Sequence, residues 1–351
     1  MIVHSKSKNY EVHIVNNLDW LKGDSSNRFY VLDRKVYEIY KNELFSCLPK
    51  ERMYLMDARE ENKTIYTALD VCAAMTVMAS KRNTRLVSIG GGIVQDVTGF
   101  AANILYRGIA WTFVPTTLLS ACDSCIGGKT SLNYDKFKNL LGTFYPPDEI
   151  YICSSLFKTL EEGDFLSGLG EVVKFNVMGG DNQLASMEKD MPELLQRAPD
   201  KLLPYVKASL EFKKNIIEED EFDKGTRVLL NYGHTFGHAI EAVTDYAVPH
   251  GTAVAMGMVM ANRISLSRCM ISEEVVHRIE KIIKRIIPLY KNGIDLKAGE
   301  LEVAIHKDKK QIDSNITAIL MNNNIDLEIV HDIQSSEIKN ASKFLEKFLS
   351  E

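Results

Sequence analysis

Short apolar runs alternate with helically spaced ones through the first part of the chain. Arg28–Leu32 (RFYVL) is rich in aromatic and aliphatic residues, ends at Asp33, and predicts a strand. Tyr66 to Ser80 is apolar at helical spacing and ends near a basic cluster. Arg85–Ile89 (RLVSI) predicts a buried strand, followed at once by Gly90-Gly91-Gly92. Trp111–Val114 (WTFV) predicts another, closed by Pro115-Thr116-Thr117. This order predicts a doubly wound, Rossmann-like α/β fold, in which ligands bind beyond the carboxyl ends of the strands. From about Leu160 the pattern turns mostly helical. Near the end, two strand-like runs between Ile316 and Val330 flank a turn at Asn322 to Asn324. Ser335 to Leu349 closes the chain as an amphipathic helix. The pattern predicts an α/β domain over residues 1–160 and a mainly α-helical domain over 161–351.

A length of 351 residues accommodates that division. With 45% hydrophobic and 25% charged residues, both parts should pack as globular domains. The net charge of −5 argues against a nucleic-acid surface, though not against a local basic pocket for an anionic substrate. The opening MIVHSKSKNY lacks the apolar core of a signal peptide, and no apolar run approaches membrane-spanning length. Six scattered cysteines then point to a reduced, cytoplasmic compartment. Cys122 and Cys125 form a CxxC, but no second ligand pair or thioredoxin-like entry accompanies it; they read as packing residues.

The densest chemistry lies between Leu229 and Gly251 (LLNYGHTFGHAIEAVTDYAVPHG). His234 and His238 fall one helical turn apart on one face, and His250, between Pro249 and Gly251, predicts a turn. The bland reading is a capped helix and a stray histidine. Three histidines beside a glycine-flanked loop weigh toward a metal, because neutral imidazole is a common zinc ligand. Spacing alone favours His234 and His238 as the ligand pair. Glu171 and Lys174 stand at i, i+3 among Leu, Val and Phe, and a buried ion pair there calls for a functional or metal explanation. Glu171 would complete a Glu/His/His set with coordination positions left open.

In the first domain the glycine triplet permits close backbone approach to a pyrophosphate. As a dinucleotide fingerprint it is imperfect: Gly90-x-Gly92 is present, but Gln95 stands in the third glycine's place. Asp96 is placed to meet a ribose or nicotinamide amide, or is an ordinary first-turn carboxylate. Asp123 to Thr130 (DSCIGGKT), then Lys138-Asn139, join glycines to lysines, as an anion site would.

Taken together, these segments resemble the 3-dehydroquinate synthases of the sugar-phosphate cyclase family. The resemblance extends from about Asp33 to Asp332 and rests on GGGIVQD (90–96), YRGI (106–109), VPTTLL (114–119), DSCIGGKT (123–130), KNLLG (138–142), GLGEVVK (168–174), LNYGHTFGH (230–238), PHG (249–251) and DKK (308–310). It implies an N-terminal NAD-binding domain, a helical metal-binding domain, an active site in the cleft between them, and a homodimer. It implies that the metal ligands are Glu171, His234 and His250, which makes His238 a substrate contact. Lys174, Lys213, Arg227, Asn231, Asn139, Lys309 and Lys310 match groups around the substrate's carboxylate, hydroxyls and phosphate. Asp123 and Lys129 match positions between cofactor and substrate, and Arg107 matches an arginine that reaches the neighbouring subunit's phosphate site. Matching NAD contacts are Asp33, Glu60, Lys63, Gly91, Gly92, Gln95, Asp96, Thr116, Thr117, Lys129, Lys138 and Thr159. Gln95, Phe137, Cys122 and Cys125 depart from the family pattern.

The implied reaction converts 3-deoxy-D-arabino-heptulosonate 7-phosphate to 3-dehydroquinate and phosphate, a lyase step of the shikimate pathway to aromatic amino acids. NAD acts catalytically and Zn2+, or Co2+, is the metal. Relatives that cyclise neutral sugar phosphates tend to lose residues matching Arg227, Asn231 or His238, and all three are kept here. An arginine binds a carboxylate bidentately, which favours the sugar-acid substrate. Competing readings are another sugar-phosphate cyclase, a metal-dependent polyol dehydrogenase, and a non-catalytic NAD sensor. A sensor has no need of Glu171, Lys174, Lys213 and Arg227 together.

Overall fold

The structure is a computed structural model that describes residues 1–77, 82–135, 137–287, 294, 296–307 and 316–351. The chain divides into two compact units, Met1–Leu160 with Lys214–Phe222, and Glu161–Lys213 with Asp223–Glu351. The short second segment of the first unit was not foreseen from the sequence. It is tied there by carboxylates. Glu218 accepts from the His4 amide at 2.7 Å, and Glu221 accepts from the Lys6 amide at 2.7 Å.

The first unit is built on β1 (Ile2–Val3), β2 (Tyr10–Val15), β3 (Arg28–Asp33), β4 (Met53–Met56), β5 (Arg85–Gly90), β6 (Trp111–Pro115), β7 (Lys129–Tyr134), β8 (Phe137–Phe144) and β9 (Glu149–Cys153). Its helices are α1 (Arg34–Tyr40), α2 (Ile65–Val77) and α3 (Gly92–Ile104). Seven strands form one sheet in the order β1-β2-β9-β6-β5-β3-β4. All pairs are parallel except β1 with β2. Phe29 to Leu32 and Leu86 to Ile89 are buried on both faces, as the strands of a covered parallel sheet must be. Because the strands are parallel, Asp33, Gly90 and Pro115 all stand at the same, carboxyl edge. Between β6 and β9 the chain forms an antiparallel hairpin of β7 and β8. Lys138 and Asn139 lie on β8.

The second unit contains α4 (Glu162–Met178), α5 (Asp181–Leu195), most of α6 (Pro199–Glu219), α7 (His234–Val243), α8 (His250–Ser267), α9 (Glu273–Ile286) and α10 (Ala298–Lys307). The hairpin β10 (Ile316–Met321) and β11 (Leu327–Ile333) and the last helix, α11 (Ser335–Ser350), complete it. Its core is α8, whose residues from Gly251 to Asn262 are all buried. Such a helix has no polar face because other elements surround it. Two glycine contacts set its position. A Cβ on Gly170 or Gly251 would overlap backbone of the facing helix, so α4 and α8 touch main chain to main chain. Gly257 likewise abuts the Gly233 carbonyl, bringing α7 against α8. His250 does not lie on a free turn; it is the first residue of α8, after Pro249.

Candidate functional site

The first unit gathers several of the expected cofactor residues at the carboxyl edge of the sheet. After β5 the chain turns through Gly91 into α3. None of Gly90, Gly91 and Gly92 has a positive φ. Their requirement is space: a Cβ on Gly90 would lie 2.5 Å from Val94 Cγ2, and one on Gly91 would lie 3.0 Å from Thr117 Cγ2. The Thr116 amide donates to the Gly90 carbonyl at 2.9 Å, which binds the β6 exit to this turn. Asp33 caps α1 by accepting from the Lys35 amide at 2.9 Å, and burial raises its carboxyl above the ordinary range. Thr159 contacts the Tyr40 hydroxyl at 2.8 Å.

Beyond the turn, a polar cluster links α3 to the hairpin. Lys63 Nζ lies 2.6 Å from Asp96 Oδ2 and donates to Asn139 Oδ1 at 2.6 Å. Ser131 Oγ sits 3.0 Å from Asp96 and 2.9 Å from Asn139. Asn133 reaches Glu60 Oε1 at 2.8 Å, and its own side-chain oxygen accepts from the Asn139 amide at 2.8 Å. Burial raises the Asp96 carboxyl, while the Lys63 charge and hydrogen bond work to lower it. Glu60, Lys63, Asp96 and Asn139 are thus one connected set. Asn139, assigned by resemblance to the substrate, joins the expected cofactor residues.

Gln95 is buried on α3 and exchanges two hydrogen bonds with Ser124, donating to its carbonyl at 2.7 Å and accepting from its hydroxyl at 2.7 Å. Ser124 ends a π-helical turn, Ser120–Ser124, that carries Asp123. A side chain in the missing glycine's place therefore anchors the neighbouring loop. Lys129 opens β7 and Lys138 is on β8. Arg107 is exposed, in a left-handed conformation with φ 66°. None of the six cysteines is joined in a disulfide, and Cys122 and Cys125 are buried. Lys309 and Lys310 lie outside the described residues.

In the second unit, Glu171 on α4, His234 at the start of α7 and His250 at the start of α8 converge. The potential ligand atoms of all three lie within 4.8 Å of one another. Both imidazole Nε2 atoms stand 3.7 Å from Glu171 Oε1, too far for hydrogen bonds and suited to an ion held among them. The tautomers are fixed from behind. His234 Nδ1 lies 3.2 Å from the Tyr232 carbonyl, and His250 Nδ1 lies 3.1 Å from Glu241 Oε2. Carbonyl and carboxylate only accept, so each Nδ1 carries a proton and each Nε2 lone pair is left for a ligand bond.

Glu171 itself is fully buried. Lys174 Nζ is 2.6 Å from its Oε2, but the angles are not those of a hydrogen bond, and both carboxylate oxygens lack one. A carboxylate so buried, paired with one lysine but without a hydrogen bond among the described residues, is costly, and a divalent cation between it and two neutral imidazoles would offset that cost. The donor set fits zinc or cobalt. Burial works against the His250 imidazolium, but the hydrogen bond and charge of Glu241, together with the charge of Glu171, raise the pKa.

His238 belongs to the same cluster: its ring centroid is 5.4 Å from that of His234 and 5.9 Å from that of His250. With Glu241 and His250 it forms a second group of possible ligands. Lys174, Lys213 and Arg227 are buried cations of this unit, and Asn231 closes the short helical turn that starts at Thr226. Sequence reasoning missed Ser124, Ser131 and Glu241. The last had a signal, because 234, 238 and 241 share one face of a helix. Among the described residues, no helix is long and apolar enough to cross a membrane.

Comparison with known proteins places the architecture first. The fold is that of the sugar-phosphate cyclases: a 2-epi-5-epi-valiolone synthase from Streptomyces hygroscopicus, solved with NAD+ and Zn2+ bound, superimposes with a TM-score of 0.86 at 24% identity, covering 99% of both chains. Family models described as 3-dehydroquinate synthase N-terminal and C-terminal match residues 53–167 and 168–311. The 3-dehydroquinate synthase of Clostridium tetani is 35% identical over 342 residues, covering 95% of this chain and 91% of the relative. That of Dictyoglomus turgidum is 35% identical over 346 residues, covering 96% of each. The chain belongs to the 3-dehydroquinate synthase family.

Proposed function

We propose that this chain converts 3-deoxy-D-arabino-heptulosonate 7-phosphate to 3-dehydroquinate and phosphate, with catalytic NAD and one zinc ion. The observation that carries the reading is Glu171: a buried carboxylate without hydrogen bonds, faced by two imidazole Nε2 atoms and flanked by a buried lysine. Glu171, His234 and His250 would hold the metal. When bound, zinc supplies a Lewis acid that lowers the pKa of a coordinated hydroxyl and polarises the ketone made from it. NAD supplies reversible hydride transfer, so net redox is zero.

The chain's own residues do the rest. Lys174 sets a positive charge beside Glu171. Arg227 binds the substrate carboxylate as a bidentate pair. Lys213 and Asn231 serve the hydroxyls and phosphate, and His238 contacts the substrate. Asp123 and Lys129 serve between cofactor and substrate. Asp33, the glycine turn, Thr116 and Thr117 take NAD, together with Glu60, Lys63, Asp96, Lys138 and Thr159. A cytoplasmic location goes with this reading. The active form is a homodimer in which Arg107 serves the neighbouring subunit.

The test is incubation of the purified protein with NAD, zinc and the heptulosonate. We expect inorganic phosphate and the carbocyclic product in equal amounts, without net NADH. Net NADH would instead identify a polyol dehydrogenase. Turnover of a neutral sugar phosphate alone would leave only the broader cyclase class.

A further inference from the structure

The Glu171–His234–His250 reading leaves one half-buried carboxylate without a task. Glu241 is on α7, seven residues after His234 and on the same helical face. Its Oε2 lies 3.1 Å from His250 Nδ1, while the opposite nitrogen of that ring, Nε2, faces Glu171 Oε1 at 3.7 Å. One imidazole therefore stands between two carboxylates, its ring held by the first and its lone pair aimed at the second. His234 is held in the same sense by the Tyr232 carbonyl, which is neutral. We propose that Glu241 is a positioning residue for the metal, resting on the ligand reading above: it fixes the tautomer and orientation of His250 and raises its strength as a donor, without ligating the ion itself.

The alternative is that Glu241 is a ligand, with His238 and His250. Two observations favour positioning. A metal bound by His250 through Nδ1 would have to displace the proton now given to Glu241. Electrostatic demand also lies elsewhere: Glu171 is the fully buried carboxylate without a hydrogen bond, whereas Glu241 Oε2 already has one. The helical geometry suits the task. α7 presents His234 as ligand and Glu241 two turns on, so a single rigid element places one ligand and orients another that begins a different helix.

The experiment compares wild type, Glu241→Ala and Glu241→Gln as full-length apo-proteins. Zinc affinity is measured by competition with a chromogenic chelator, and the Co2+ absorption spectrum is recorded for each. Glu241→Ala should weaken zinc binding by about 10–100-fold, the usual effect of losing such an outer carboxylate. Glu241→Gln, which keeps an acceptor but loses the charge, should fall between the two. Its Co2+ bands should superimpose on those of wild type, because the donor set is unchanged. Unaltered zinc affinity in Glu241→Ala overturns the proposal. So does a Co2+ spectrum in Glu241→Gln that reports a lost carboxylate ligand. If the alanine variant does not fold, the glutamine variant decides alone, and affinity equal to wild type is the adverse result. A wild-type protein that binds no zinc fails earlier, by removing the ligand reading itself.

Discussion

Glu171 shows how much a single residue can announce. Its sequence neighbours are apolar, so burial was legible, and a carboxylate has no place there unless something pairs with it. The arrangement of its partners was less legible, because helical spacing pointed to His234 with His238, whereas the structure brings His234 and His250 to the same carboxylate oxygen. Arg227 is the residue on which substrate choice should turn. It is buried, and leaving a substrate carboxylate unpaired typically costs about 2–5 kcal/mol. Arg227→Ala should cut kcat/KM for the heptulosonate by roughly a hundredfold or more, while changing turnover of a sugar phosphate without the carboxylate little. Steady-state kinetics on the two substrates checks this, and equal losses on both would remove the carboxylate role. In the first unit, Asp96 holds Lys63 and Ser131 at the end of the glycine turn. Asp96→Ala should weaken NAD binding by about tenfold or more, since a charge-assisted hydrogen bond contributes about 1.5–3 kcal/mol. Zinc content should stay at the wild-type level; NAD titration beside metal analysis separates the two.

At the scale of elements, the sequence was clearest where one period ran unbroken. β3, β5, β6 and α11 begin and end close to where their apolar runs do, because burial on a sheet or one helix face writes directly into the order of residues. The β7–β8 hairpin is hidden in the sequence because β8 is largely exposed and its apolar residues, Phe137, Leu140, Leu141 and Phe144, fall at helical spacing and not in alternation. Flanking Pro and Gly predict a turn at His250, yet proline suits a helix entrance equally well, and His250 opens α8. The glycine there has another cause, the contact between α4 and α8, which no local pattern encodes. Gly251→Ala should force these helices apart, costing about 1–3 kcal/mol as overpacked sites do, and should weaken zinc binding because Glu171 and His250 ride on the separated elements. Gly163→Ala, in the same helix as Glu171 but with open space around it, is the control that should leave zinc binding unchanged and should not lower the melting temperature. Thermal denaturation with a zinc titration distinguishes a packing contact that builds the site from one that merely adds stability. A Gly251→Ala protein with lowered melting temperature and unchanged zinc affinity would show that α4 and α8 do not set the ligand geometry.

For the whole molecule, the decisive question is whether one chain is sufficient for the reaction. Arg107 bears on it most directly. It is exposed and held in a left-handed conformation that a non-glycine residue adopts at a cost, next to Tyr106 in the same region of φ. Strain at an exposed arginine has a reason if the side chain must be presented outward, as it would be to the phosphate of a neighbouring subunit. Two variants that are each inactive then give a test with a definite sign. Arg107→Ala spares the metal ligands of its own chain, and Glu171→Gln spares its Arg107. In a mixed dimer, the chain carrying Arg107→Ala keeps an intact metal set and receives Arg107 from its partner. One of the two sites is whole. With random pairing half of the dimers are mixed, so about a quarter of wild-type activity should return when the variants are co-expressed or allowed to exchange subunits. Separately purified and kept apart, they should stay inactive. If Arg107 served its own chain, no pairing could assemble a complete site, and the mixture would remain as inactive as its parts.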